Sequence, residues 1–151
     1  MTFKCLPFEA LSLTDLYEVM ALRQAVFVLE QNCPYLDADG KDLKSHHLLC
    51  SDNNELVAYA RLLPEGVSYD GYVSIGRVLS ARGVRGSGIG RLLVQEAIRQ
   101  SGRLFGPVPI KISAQSYLLT FYASFGFEPI GEEYMEDDIP HTAMLFRWPS
   151  R

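Results

Sequence analysis

Val78-Leu79-Ser80-Ala81-Arg82-Gly83-Val84-Arg85-Gly86-Ser87-Gly88-Ile89-Gly90-Arg91-Leu92-Leu93 reads as the end of an apolar strand, a glycine-dense turn and the opening of an amphipathic helix. The first turn of a helix leaves backbone N–H groups unpaired and carries a partial positive charge. Glycines remove the side chains that would block an approaching diphosphate, so backbone alone can hold an anion here. A Walker A loop would need Lys and Ser or Thr directly after its last glycine, whereas Gly90 is followed by Arg91 and Leu92. A dinucleotide fingerprint read from Gly86 and Gly88 would need a third small residue where Arg91 stands, and it would follow a parallel βαβ unit. ATP and nicotinamide dinucleotides are therefore both disfavoured.

The segments on either side give the layout. Upstream, Thr2 to Phe8 reads as a short strand, and Ser12-Leu13-Thr14-Asp15 as a helix start with Asp in place of the usual Glu or Gln of a capping box. The helix is expected to run to about Glu30, with Leu13, Leu16, Tyr17, Met20, Gln24, Phe27 and Val28 forming a mostly apolar stripe. Asn32 to Lys44 is a long irregular connection. His46 to Cys50, Leu56 to Leu63 and Tyr72 to Leu79 then form an antiparallel meander. Downstream of the turn, Ile89, Leu92, Leu93 and Ala97 keep helical spacing until Gly102. A strand at Val108 to Ser113, a helix from about Ser116 to Phe125 and strands near Glu128 to Tyr134 and Thr142 to Trp148 follow. The order is β-α-β-β-β-α-β-α-β-β.

No internal repeat or linker interrupts the chain, and its 151 residues with 48% hydrophobic content are read as one domain, 1–151. With 14 basic against 18 acidic residues, the chain lacks the basic field that nucleic acid requires. No apolar run approaches the roughly 20 residues of a membrane span, and no leader pattern opens the chain, so a cytoplasmic protein without a membrane partner is expected. Cys5, Cys33 and Cys50 form no CxxC pair and read as reduced thiols.

Arg85-Gly86-Ser87-Gly88-Ile89-Gly90 resembles the R/Q-x-x-G-x-G/A turn of the GNAT superfamily of acyl-CoA N-acyltransferases. Phe121-Tyr122-Ala123-Ser124-Phe125-Gly126-Phe127 resembles that superfamily's second motif, and the element order agrees along nearly the whole chain. The segments Leu22 to Tyr35 and Asp137-Asp138-Ile139-Pro140-His141 are similar to the ElaA-like branch. The resemblance implies an α/β fold with a mixed, mostly antiparallel central sheet of six to seven strands flanked by helices. It also implies an acetyl-CoA co-substrate whose diphosphate lies on Arg85, Gly86, Ser87, Gly88, Ile89, Gly90 and Arg91. The pantetheine arm would then lie along the backbone of Val78, Leu79 and Ser80. The family's usual Asn at the start of the second motif is Gln115 here. A CoA-binding sensor without turnover is the alternative that the same motifs allow.

Acyl transfer needs an acid for the departing sulfur and a base for the attacking amine. Tyr122 is the expected acid, because a phenol near pKa 10 outlasts a thiol near 8.5 as a proton holder. The Leu79 amide is the expected donor to the carbonyl oxygen. His141 and Glu30 are candidate bases, with Glu136, Asp137 and Asp138 crowding the loop before His141. The acceptor, an amine held between the 32–44 connection and the last hairpin, is expected to be cationic because Asp37, Asp39 and Asp42 lie in that connection. A ping-pong role for Cys33 is disfavoured, since no neighbouring cation would lower its pKa. A metal held by His46, His47 and Cys50 is disfavoured too, since adjacent strand residues face opposite ways. No metal is expected, and the chain would act as a monomer or homodimer.

Overall fold

A computed structural model describes residues 1–150 of the chain. Strand β1 (Thr2–Pro7) leads to helix α1 (Leu13–Arg23). Asp15 completes the capping box: its N–H donates to Ser12 Oγ at 2.9 Å, and the Ser12 N–H donates to Asp15 Oδ2 at 3.3 Å. Beyond Arg23 the helix does not continue as α-helix to Glu30; residues Gln24–Glu30 form a wider π-helical segment, a feature frequent at functional sites. Then come β2 (His46–Asp52), β3 (Glu55–Leu63), β4 (Ser74–Ser80), α2 (Ile89–Phe105), β5 (Ile110–Gln115), α3 (Leu119–Ala123), β6 (Glu128–Glu136) and β7 (Ile139–Phe146). The expected order of elements is the observed one.

Two antiparallel sheets share the work, β1-β2-β3-β4 and β5-β7-β6. They meet at a single parallel bridge, where Val73 N–H donates to Pro109 O at 3.2 Å and Lys111 N–H donates to Val73 O at 2.9 Å. Past Val73, β4 and β5 are no longer paired, and a cleft opens between them. A bulge in β4 accompanies the parting: Leu79 faces Tyr59 but Gly76 faces Arg61, so three steps on β4 match two on β3. The extra residue includes Arg77 at φ +49°, and such bulges re-aim a strand.

The core fills both faces of the first sheet. Ile89, Leu93, Val94 and Ala97 of α2 pack with Leu48, Ala58, Ala60 and Leu62, while Val19 and Val26 pack with Leu49, Tyr59 and Leu79 on the other face. Each of the buried Val, Leu and Ile side chains contributes about 1.5–3 kcal/mol through burial. The stripe expected on α1 is corrected: Leu13 and Tyr17 are 87% and 78% exposed. The helix instead docks through Val19, Arg23 and Val26, because Arg23 finds buried carboxylates and so becomes an inward-facing residue. The helix expected from Ser116 to Phe125 is a 3-10 turn, Ser116–Leu118, followed by the short α3. Strands β6 and β7 zip further than expected, to Glu136 and Ile139, because Asp137 and Asp138 both adopt positive φ in a two-residue turn.

Candidate functional site

The glycine turn has the geometry an anion needs. Gly86 and Gly88 sit at φ +83° and +85°, and a Cβ at either would meet nothing within 4 Å, so both face open space. Gly88 is the N-cap of α2 and supplies no side chain to satisfy the first turn. Ser87 N–H donates to Val84 O and Leu92 N–H to Gly88 O. Among the described residues the amides of Gly86, Gly88, Ile89, Gly90 and Arg91 have no partner. Arg91 is anchored sideways, donating to Ser124 Oγ at 3.0 Å and lying over the Phe125 ring, which ties this turn to the end of α3.

From the turn, the opening between β4 and β5 forms a cleft of about 120 Å³. Gly76, Arg77 and Val78 line one wall and Ile112, Ser113, Ala114 and Gln115 the other, with Tyr122 and His141 among the remaining residues. Ala81 N–H donates to Val57 O at 2.8 Å, and Leu79 pairs with Tyr59 in the same register. Hydrogen-bonded pairs alternate along an antiparallel ladder. The Leu79 amide, expected to face the co-substrate, is thus turned into the sheet, and the main chains of Val78 and Ser80 face the open edge. Ser80 O already accepts from Arg85 across that edge, at 3.1 Å from Nη2.

Tyr122 is 8% exposed, and its hydroxyl has no hydrogen-bond partner among the described residues. Burial, and to a lesser degree the neighbouring Tyr117, push its phenol up to about 12. It keeps its proton across the neutral range and has no internal acceptor for it. His141, a buried residue of β7, stacks on Tyr134 of β6, with Nδ1 2.7 Å from Ile139 O and Nε2 3.4 Å from Glu136 Oε2. A carbonyl can only accept, so Nδ1 carries a hydrogen, and Nε2 is the nitrogen turned toward the Glu136 carboxylate.

Comparisons with known proteins agree with this layout. Residues 24–147 match the model of the acetyltransferase (GNAT) domain family. The chain belongs to the GNAT acyltransferase family. It is 44% identical to protein ElaA of Escherichia coli over 89% of this chain and 88% of that protein. It is 46% identical to a UPF0039 protein of Synechocystis sp., over 94% and 92%. The crystal structure of an acyl-CoA N-acyltransferase from Pseudomonas aeruginosa superposes with a TM-score of 0.91 at 40% identity, covering 97% of this chain and 99% of that one. GNAT proteins take an acyl-CoA co-substrate. The unpartnered amides and open glycine faces of residues 86–91 fit its diphosphate, and the bare edge of β4 fits an arm that carries amides.

Other residues singled out in the sequence lie apart from this GNAT cleft or are otherwise engaged. Glu30, at the end of the π-helical segment, pairs with Arg85 at 2.8 Å and lies 3.9 Å from Arg82 Nε, on the side of the glycine turn; it does not line the cleft. Cys33 does line it, donating to Asp137 O at 3.3 Å, but desolvation and then Asp137 and Asp138 push its thiol up, away from the thiolate. His46 packs on Phe105, whereas His47 is held between the Tyr59 hydroxyl at 2.6 Å and Asp42 O at 2.9 Å. Among the described residues no group of three or more His, Cys, Asp or Glu could hold a metal ion, and no helix is long and apolar enough to cross a membrane.

The expectation that Asp37, Asp39 and Asp42 would attract a cationic acceptor is corrected. Asp37 and Asp42 are 4% and 7% exposed, and all three pair with arginines of the GNAT scaffold. Arg23 reaches Asp37 and Asp42, both at 2.7 Å; Arg61 reaches Asp39 at 2.8 Å and Asp42 at 3.0 Å; Arg77 reaches Asp37 at 2.8 Å. Three guanidinium groups balance three carboxylates, so the cluster offers no net attraction to a cation. Its signal in the sequence was the intrusion of Arg61 and Arg77 into apolar strands.

Burial would raise the Asp39 carboxyl, but hydrogen bonds and charge from Arg61, with the Lys41 amide and Arg77, hold it down to about 2. A depressed folded-state pKa means stability that is present above the ordinary value of 3.8 and is lost as pH falls toward 2. Urea unfolding at stepped pH is expected to show that decline in the wild type. Asp39→Asn should be less stable at neutral pH and should show a shallower decline. Equal slopes in the two proteins would refute the assignment.

Proposed function

We propose that this chain transfers an acetyl group from acetyl-CoA to a primary amine by direct attack, acting in the cytoplasm as a monomer or homodimer. The observation that carries the reading is the placement of one buried, unpartnered phenol, Tyr122, in the same cleft as the open edge of β4. That edge runs directly into the turn of free amides. The glycine turn from Arg85 to Arg91 holds the diphosphate, the outward main chains of Val78 and Ser80 receive the pantetheine amides, and Gln115 lines the far wall. The thioester supplies the acyl group: its C–S bond breaks as a C–N bond to the amine forms. Tyr122 Oη gives its proton to the sulfur, and the outward Val78 amide is the donor toward the carbonyl oxygen.

His141 Nε2 takes the proton that the amine loses, and Glu136 stabilises the resulting imidazolium. His141→Gln is expected to lower turnover by about 100-fold at neutral pH. The deficit should shrink as pH rises toward an amine's own pKa near 10, because the amine then arrives deprotonated. A deficit that stays constant with pH would remove His141 as the base. The whole reading is tested by incubating the protein with acetyl-CoA and a panel of amines, peptides and polyamines while following free thiol and product mass. Acceptor-dependent thiol release supports it. Tight acetyl-CoA binding without turnover across the panel would identify a sensor instead.

A further inference from the structure

Asp37 and Arg77 form a clamp that ties the β4 wall of the cleft to the Tyr35 wall and to α1 behind them. The Asp37 carboxylate, 3% exposed, accepts from Arg23 Nε of α1 at 2.7 Å on one oxygen and from Arg77 Nε of β4 at 2.8 Å on the other. Its main-chain carbonyl accepts from the same two side chains, Arg23 Nη2 at 3.1 Å and Arg77 Nη2 at 3.2 Å. Tyr35, which lines the cleft, donates its hydroxyl to Asp37 Oδ1 at 3.3 Å and lies under the Arg77 guanidinium. Arg77 is the residue at φ +49° in the β4 bulge, a conformation that L residues rarely adopt. Its backbone has no preference for this shape, so the side chain must supply the hold. A strand freed from its bulge slips by one residue, and a one-residue slip turns every outward group inward.

We propose that Arg77, gripped by Asp37, is a positioning residue for acyl transfer: it holds the β4 bulge that aims the Val78 main chain into the cleft while the same carboxylate fixes the Tyr35 wall. The role rests on the acyl-transfer reading above. Neither residue touches the reacting atoms; they act through the strand. Their removal therefore spares the glycine turn, where the diphosphate binds.

Arg77→Ala suits the test because the side chain is 24% exposed at the rim, whereas Asp37 substitutions strand two cations and risk the fold. Two readouts are taken with acetyl-CoA and the amine panel as probes. Hydrogen exchange of the protein alone should quicken by about tenfold or more across residues 74–80 and stay unchanged in β1 and β2. Turnover should fall by about 10- to 100-fold while the acetyl-CoA Kd moves less than about threefold. Arg77→Lys should not rescue turnover, because an ammonium cannot fork across the carboxylate and carbonyl of Asp37. Unchanged exchange would overturn the clamp whatever the reaction does. Faster exchange with unchanged turnover, a parallel loss of acetyl-CoA affinity, or full rescue by Lys would each overturn the positioning role. A wild-type protein that releases no thiol with any amine would instead remove the reaction, and the positioning role with it.

Discussion

Gly88→Val is expected to weaken acetyl-CoA binding by about 100-fold or more while leaving a folded protein. The two effects separate because of where the new side chain would sit. A Cβ at Gly88 meets no atom within 4 Å, so a side chain there starts out into open space. Its φ of +85° does resist it, at about 1–2 kcal/mol for a non-glycine residue, an amount a domain of this size survives. The open space is the space proposed for the diphosphate, so the isopropyl group and the oxygens cannot share it. Charge-assisted hydrogen bonds contribute about 1.5–3 kcal/mol each, and the loss of even one corresponds to about 10- to 150-fold in affinity, with a second multiplying that factor. Titration calorimetry of both proteins checks the binding, and thermal unfolding checks the fold. Equal affinities would mean that the co-substrate lies elsewhere.

Tyr122→Phe is expected to lower turnover by about 100- to 10,000-fold, the usual range for a lost general acid, with acetyl-CoA affinity changed by less than about threefold. Stability is expected to hold or rise slightly. The hydroxyl bonds to nothing in the described protein, and the ring keeps its edge-on contacts with Phe121 and Phe127. A residue kept only for packing would give the opposite pattern, with full turnover. A hydroxyl kept for structure would lower stability on removal. Stopped-flow detection of free thiol alongside thermal unfolding separates the three outcomes.

How far the sequence could be read depended on how local each cause was. The strand, glycine turn and helix from Val78 to Leu93 were legible because the special backbone angles and the free amides lie within one short stretch. The capping of α1 by Ser12 and Asp15 was legible for the same reason. The docking face of α1 was not, because Arg23 reads as a solvated residue until Asp37 and Asp42 arrive from another part of the chain. The same long-range neutralisation misled the reading of the acidic connection, whose carboxylates are internal partners. The bulge at Arg77 leaves no mark of its own in the sequence, since no glycine stands at the positive φ, and with it went the true direction of the Leu79 and Val78 amides. His141 was legible through the segment Asp137-Asp138-Ile139-Pro140-His141, whose resemblance to the ElaA-like branch singled it out. Its link to Glu136 depends on the tight turn at Asp137 and Asp138, which folds β6 back on β7.

A crystal structure of the protein with a non-transferable thioether analogue of acetyl-CoA is the most direct measurement. The diphosphate oxygens are expected within hydrogen-bond distance of the amides between Gly86 and Arg91, and the sulfur beside the Tyr122 hydroxyl in the opening between β4 and β5. A diphosphate bound away from that turn, or a sulfur out of reach of Tyr122, would contradict this arrangement.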